Sequence, residues 1–343
     1  MSQISSLSQK THVPATMQAV VYQGAGGPEV IALEDRPTPA PSENEVLVKV
    51  AAAGINRPDV MQREGKYPPP SGASDIPGLE IAGEVVAVGD QVRRFNVGDK
   101  VCGLVAGGGY AQYCVVHEEN ALFVPEGVSL KESAAIPETF MTVWTNLFED
   151  GKLSDQDRVL IHGGSSGIGT TAIQLARAFQ AKQILVTVGS EAKAEACRSL
   201  GADIAINYRE EDFVSAVKES TQGHGADLIL DMIGGDYVNK NYKAAAKFGR
   251  IIQIATQQGN PHEVEVFRLM LKRLTHTGST LRSRSVEEKA LIVRALEEKV
   301  WPKISRGEIK PYIHATFSYK ETQKAHQLMD SSQHIGKIVL TFD

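Results

Sequence analysis

The stretch His162-Gly163-Gly164-Ser165-Ser166-Gly167-Ile168-Gly169 puts four glycines and two hydroxyls into eight residues. It follows the apolar run Arg158–Ile161 and opens a helical stretch, Thr170–Phe179. In such a strand–turn–helix each glycine has its own task. One permits a tight turn, another lets backbone amides approach a pyrophosphate, and the last lets helix and strand pack closely. The helix N-terminus then turns free N–H groups and a positive dipole toward the phosphates. The implied chemistry is capture of a dinucleotide by its diphosphate, and the βα units that follow favour it over an ordinary glycine-rich turn.

Two other chemistries use similar letters. Gly163-x-Ser165-x-Gly167 matches the nucleophile elbow of α/β-hydrolases, with Asp231 and His262 as an acid and a histidine that could be pressed into the triad. Nothing around those two residues singles them out. The string also resembles the coenzyme loop of short-chain dehydrogenases, which lies near the N-terminus and is accompanied by a Tyr with Lys four residues later. No tyrosine here has that lysine.

The end of the second strand selects the coenzyme. An NAD site places an acid about 20 residues beyond the loop, on the ribose hydroxyls. Here Val186-Thr187-Val188 runs into Gly189-Ser190, with Lys193 next and Tyr208 ending the third strand. Small neutral residues leave room for a 2′-phosphate. Lys193 supplies a countercharge, and the hydroxyls of Ser190 and Tyr208 donate to phosphate oxygens. Glu191 dissents, although an acid in a first helical turn also favours the helix dipole. The reading is NADPH.

No metal pattern appears. There is no Cys-x-x-Cys, and His117-Glu118-Glu119 lacks a second histidine. Cys102 and Cys114 lie in strand-like runs, where packed thiols are the common case.

The elements around these residues fall into two styles. Met17–Tyr22, Val46–Ile55, Ile81–Val88, Lys100–Leu104 and Tyr110–Val116 are short strand-like runs separated by Gly26-Gly27-Pro28, Gly89-Asp90 and Gly98-Asp99, which argues for a β-barrel or sandwich. Beyond Pro137 strands alternate with helices: Ile184–Val188, Glu191–Leu200, Ile204–Ile206, Asp212–Ser220, Leu228–Asp231, Tyr237–Ala246 and Ile251–Ile254. That alternation specifies a doubly wound α/β parallel sheet with helices on both faces. Ser129–Glu132, Ser285–Glu288 and Ser318–Glu321 fit capping boxes, so helices are expected there. A last strand, Lys337–Phe342, is expected to return to the β-rich domain. Residues 1–16 read as a flexible tail without a targeting pattern, with the folded part starting at Met17.

Composition agrees. Of 343 residues 42% are apolar and 22% charged, as in globular proteins, and no apolar run is long enough to cross a bilayer. A net charge of −5 gives no basic field for nucleic acid. Three cysteines suggest a reducing compartment, the cytoplasm.

From Met17 onward the chain resembles the medium-chain dehydrogenase/reductase superfamily, in its zinc-independent, zeta-crystallin-like quinone oxidoreductase branch. The matching motifs include Ala52-Ala53-Gly54-Ile55-Asn56-Arg57-Pro58-Asp59, Arg63-Glu64-Gly65-Lys66-Tyr67-Pro68, Pro77-Gly78-Leu79-Glu80-Ile81-Ala82-Gly83, Gly98-Asp99-Lys100-Val101, Asn207-Tyr208 and Ile335-Gly336-Lys337-Ile338-Val339-Leu340. Zinc alcohol dehydrogenases carry Cys where Asn56 stands and His where Leu79 stands, which argues against a zinc alkoxide here.

The resemblance implies a Rossmann NADPH domain at 137–281 and a β-rich GroES-like catalytic domain at 17–136 and 282–343. In the cleft between them hydride would pass from NADPH to a quinone or another electrophilic acceptor. By position, Tyr67, Ser166 and Asn56 would be catalytic. Thr142 would lie near the nicotinamide, and Gly164, Ser165, Gly167, Ile168 and Gly169 would hold the pyrophosphate. Gly189, Ser190, Lys193 and Tyr208 would surround the 2′-phosphate, with Gly234 and Lys337 also at the coenzyme. A homo-oligomer, a dimer or a dimer of dimers, would pair the edge strand within Leu274–Leu281. The alternatives are reduction of activated C=C bonds, and an NADPH-holding protein without turnover.

Overall fold

The computed structural model describes residues 13–342; most of the 1–16 tail lies outside them. Strands β1 (Thr16–Tyr22) and β2 (Ile31–Pro37) form an antiparallel pair. Next come β3 (Glu45–Ile55), helix α1 (Arg57–Arg63), β4 (Glu80–Val88), β5 (Lys100–Leu104), β6 (Tyr113–His117) and β7 (Ala121–Phe123). Helices α2 (Leu130–Ser133) and α3 (Pro137–Val143) lead into the second lobe.

There β8 (Arg158–Ile161), α4 (Gly167–Ala178), β9 (Gln183–Val188), α5 (Glu191–Ser199), β10 (Ile204–Asn207) and α6 (Phe213–Ser220) make the first half. The second half is β11 (Ala226–Asp231), α7 (Tyr237–Ala244), β12 (Ala245–Gln253), α8 (Val266–Lys272) and β13 (Thr275–Gly278). Helices α9 (Val286–Lys299) and α10 (Trp301–Ser305), β14 (Ile313–Ser318), α11 (Thr322–Ser331) and β15 (Lys337–Thr341) close the chain.

Among the described residues the second lobe carries a six-stranded parallel sheet, ordered β10-β9-β8-β11-β12-β13. Its central strands are buried beyond their first residue, Val159–Ile161 in β8 and Ile184–Val188 in β9, because helices cover both faces. The strand order reverses at β8, so a crevice opens beyond the carboxyl ends of β8, β9 and β11.

The other sheet runs β14-β15-β3-β4-β5-β7, with β6 also on β3. Its long strand β3 is buried by neighbours on both sides: Val48 faces Val85 and Cys114. The last strand, β15, pairs antiparallel with β3, Ile338 opposite Ile55, so the chain returns to its first domain. One apolar cluster, from Ala52, Ala82 and Cys102 to Ile161 and Val186, runs continuously through both lobes.

Three strands escape the sequence reading. The β2 run mixes charges with apolar residues, and its ending in Pro37 is tolerated because it bonds to β1 alone. The other two are the short β7 and the strand β14. Ser318 does not open a capping box: its hydroxyl accepts the N–H of Lys320 and caps a single 3-10 turn, Tyr319–Glu321, with α11 starting at Thr322. Ser129 and Ser285 do form the boxes.

Candidate functional site

The glycine loop sits where β8 meets α4. Gly163 takes a left-handed φ of +65°, and its amide reaches the Thr187 hydroxyl at the end of β9, 3.3 Å away. The Gly164 amide donates to the Thr187 carbonyl at 2.9 Å, and a Cβ at Gly164 would lie 2.6 Å from Val186 Cβ. Gly164 therefore allows the loop to lie on β9, whereas a Cβ on Gly169 would fall on the carbonyls of Gly163 and Gly164. Ser166 is the N-cap of α4; its Oγ accepts the Gly169 amide at 3.0 Å. Behind the loop, buried His162 bonds Thr187 Oγ1 at 3.0 Å and Asn241 Oδ1 at 2.7 Å, and Asn241 donates to Asp231. Burial pushes the His162 pKa down, so a neutral ring joins the loop to the ends of β9 and β11.

In front of the loop lies a cleft of about 320 Å³ between the lobes. Ser165, Ser166, Gly167, Ile168, Lys193 and Tyr208 line it from one lobe, and Asn56 and Lys337 from the other. The lobes are stitched here: the Gly336 amide donates to the Ser165 carbonyl at 2.8 Å.

The far end of the cleft is cationic. Lys193 loses basicity through burial and through Arg209 nearby. Arg209, absent from the sequence reading, is exposed, and its guanidinium makes no salt bridge among the described residues. A Cβ at Gly189 would lie 2.6 Å from the Tyr208 hydroxyl and 3.6 Å from Arg209 Nε, so these side chains crowd one spot at the end of β9. Ser190 caps α5, its Oγ accepting the Lys193 amide. Glu191 is tied to Arg198 on the outer helix face, which removes its objection to a phosphate. The signal for Arg209 was the run Asn207-Tyr208-Arg209 leaving β10.

The near end is a buried ionic cluster. Lys337 Nζ donates to Glu80 Oε1 and Asn56 Oδ1, both at 2.6 Å, and to the Ile55 carbonyl at 3.1 Å. Asn56 Nδ2 donates to the same Glu80 oxygen at 2.9 Å, and Glu80 Oε2 accepts the Glu138 amide at 2.8 Å. All three ammonium protons are thus engaged, and it is the Lys337 stem, near Gly167, that faces the loop. This donor set does not fit zinc: an amide at Asn56 and an apolar side chain at Leu79 offer no thiolate or imidazole, and the Lys337 ammonium lies against Asn56. Among the described residues no group of three His, Cys, Asp or Glu is arranged to hold a metal.

The remaining sequence candidates lie off the cleft. Tyr67 is half-buried and does not line it, with the Arg282 guanidinium 5.4 Å from the ring centroid. Thr142 lies one turn along α3 from Thr139, which does line the cleft. Gly234 has φ +71° and donates to Asp231 Oδ1 at 3.2 Å, shaping the turn whose Met232 and Ile233 line the cleft. Ser165 meets no histidine among the described residues, and Asp231 is held by Ile233, Gly234 and Asn241, so no hydrolase triad forms.

Residues 42–126 match the alcohol dehydrogenase GroES-like domain, and 167–297 match the zinc-binding dehydrogenase family. The rat quinone oxidoreductase is 30% identical, covering 94% of this chain and 97% of its own. The Escherichia coli quinone oxidoreductase complexed with NADPH superposes with a TM-score of 0.85 at 28% identity, over 95% of this chain and 100% of that one. CurK enoyl reductase superposes at 0.83 with 26% identity, over 96% and 100%.

Two outcomes follow from the geometry. Gly169→Ala forces the loop off β9 and is expected to weaken coenzyme binding at least ~10-fold, or about 1.4 kcal/mol, by fluorescence titration; unchanged binding contradicts the loop's packing role. Burial raises the Asp59 pKa to about 6, and burial with the Glu80 carboxylate raises that of Glu138 to about 8. The folded state holds both protons more tightly than an unfolded chain, whose carboxyls titrate near ~4. Their stabilising contribution is therefore complete below pH ~4 and is lost as pH rises through the folded values. The unfolding midpoint in urea should fall from pH 5 to 9, with a flatter fall above pH 6 in Glu138→Gln; equal slopes contradict the assignment.

Proposed function

This chain belongs to the quinone oxidoreductase branch of the medium-chain dehydrogenase/reductase superfamily, and we propose that it reduces a quinone with NADPH in the cleft between its lobes. It is an oxidoreductase of that superfamily; the coenzyme and the acceptor are our reading. The observation that carries NADPH is the unopposed cationic corner of Lys193, Arg209 and Tyr208 around Gly189, with Glu191 neutralised by Arg198. The likeness to the E. coli quinone oxidoreductase complexed with NADPH supports it.

A bound reduced nicotinamide supplies the hydride. The protein's tasks are to hold and orient. The amides at the start of α4, with Ser165, Gly167 and Ile168, face the diphosphate, and Lys193, Ser190, Tyr208 and Arg209 take the 2′-phosphate. Ser166 and Asn56 line the cleft where donor and acceptor would meet, and Tyr67 would turn its hydroxyl toward an acceptor bound there. Burial raises the Tyr67 pKa, so the phenol keeps its proton and acts as a hydrogen-bond donor to oxygen that gains charge. Thr142 and Gly234 shape the walls, and Lys337 fixes Asn56. We assign the coenzyme domain to 137–281 and the acceptor-side domain to 17–136 with 282–343.

Reduction of an activated C=C bond is the second reading, favoured by the CurK superposition. We also propose a homodimer. Strand β13 is an open edge of the parallel sheet, and beside it α8 buries no side chain, with Phe267 71%, Met270 64% and Leu271 64% exposed. Among the described residues no helix is long and apolar enough to cross a membrane. The three buried, unpaired cysteines support a reducing compartment, the cytoplasm.

Three measurements test this reading. In anaerobic stopped-flow, NADPH with 1,4-benzoquinone should be oxidised, with kcat/KM at least ~10-fold above that for a conjugated enal; the opposite order selects the second reading. Arg209→Ala should raise KM for NADPH roughly 10-fold, the loss of one charge-assisted contact, and leave that for NADH within about twofold. Equal changes would refute the 2′-phosphate corner. Phe267→Glu with Met270→Lys should give a monomer mass in light scattering where the parent gives a dimer; a monomeric parent removes the proposal.

A further inference from the structure

Two-electron reduction of a quinone needs a proton as well as a hydride, and the cleft residues described so far do not supply it. Lys337 has every proton engaged, and Tyr67 is a weakened acid. Beside Tyr67 lies a corner whose polar groups lack partners. Arg282 is 7% exposed; its Nε and Nη2 donate to the Ala106 carbonyl and Nη2 also to Gln62, but Nη1 has no hydrogen-bond partner. Glu138, at the start of α3, gives its backbone amide to Glu80, yet its own carboxyl makes no hydrogen bond and no salt bridge among the described residues. Its neighbour in the chain, Thr139, lines the cleft.

We propose that Glu138 is the proton donor to the reduced acceptor, with Arg282 as the cation that holds the acceptor oxygen between Tyr67 and Glu138. The inference rests on the NADPH-dependent reduction proposed above. The groups that set the state of Glu138 come from every side. Burial and the carboxylates of Glu80 on β4 and Asp59 on α1 favour its protonated form; Lys337 on β15 and Lys289 on α9 oppose it. Arg282 and Tyr67 are the charged and titratable groups across the corner. Raised to about 8, Glu138 is a neutral carboxylic acid at pH 7, within the range that suits general acid catalysis.

The step balances. A quinone that takes a hydride from the reduced nicotinamide becomes a hydroquinone monoanion. The O–H bond of Glu138 then breaks as the second hydroquinone O–H forms, and the Glu138 carboxylate recovers a proton from solvent. Arg282 stabilises the anion before that transfer. Nothing else is consumed, so each turnover uses one coenzyme and one solvent proton.

The test compares the full chain with Glu138→Gln, an isosteric change that leaves the backbone amide on Glu80. First, infrared difference titration without coenzyme should show a carboxyl band with a midpoint near 8 that Glu138→Gln removes. Second, with NADPH and 1,4-benzoquinone, the parent kcat should fall above pH ~8. In Glu138→Gln, with NADPH affinity unchanged, kcat should be lower by ~10² at pH 7 and lack that inflection. A band titrating below about pH 6, or a variant kcat within twofold of the parent with the same pH profile, overturns the proposal and leaves the quinone reductase reading intact. A parent that oxidises no NADPH with any quinone removes that reading and this proposal together.

Discussion

The ammonium of Lys337, held between Glu80, Asn56 and the Ile55 carbonyl, sets the geometry of the site. It joins β15 to β3, β4 and the start of α1, while the other Glu80 oxygen takes the backbone of α3. Removing one partner of such a buried pair typically costs about 3–5 kcal/mol, because the other charge is stranded. The same lysine lays its stem near Gly167, and the preceding Gly336 bonds the loop carbonyl at Ser165. Lys337 and Gly336 together therefore pin the glycine loop to the other lobe at the mouth of the cleft.

Around that fixed point the cleft divides by charge. Its far end, at Gly189, gathers cations that make no salt bridge among the described residues, while its near end buries acids and cations together. We assign the anionic coenzyme tail to the first and the proposed proton transfer to the second, where burial lifts carboxyl groups into the neutral pH range. The glycine loop between them contributes amides and a helix dipole rather than side chains. In the proposed function this division would leave coenzyme capture to one short loop and the acceptor to residues from several separate elements.

Local features were legible in the sequence; convergent ones were not. The loop announced itself because a strand, a turn and a helix meet within a short stretch of chain. The alternation of strands and helices identified the parallel sheet for the same reason. Lys337 was recognised as a site residue, but its partners stand some 257 and 281 positions away, so the direction of its ammonium needed the fold. Glu138 and Arg282 carry no sequence motif; only the fold brings Arg282 over the Tyr67 ring and Glu138 into its electrostatic range. Strand β2 was hidden by its charges, which an edge position tolerates. Ser318 had the letters of a capping box, but the chain there turns through 3-10 geometry first.

Calorimetric titration of the purified chain with the two reduced coenzymes, at matched ionic strength, decides whether the cleft is an NADPH site. It should take up NADPH at one site per chain, at least ~10-fold more tightly than NADH, with the preference shrinking as salt screens the exposed Arg209 corner. Heat from neither coenzyme, or tighter uptake of NADH, would contradict it.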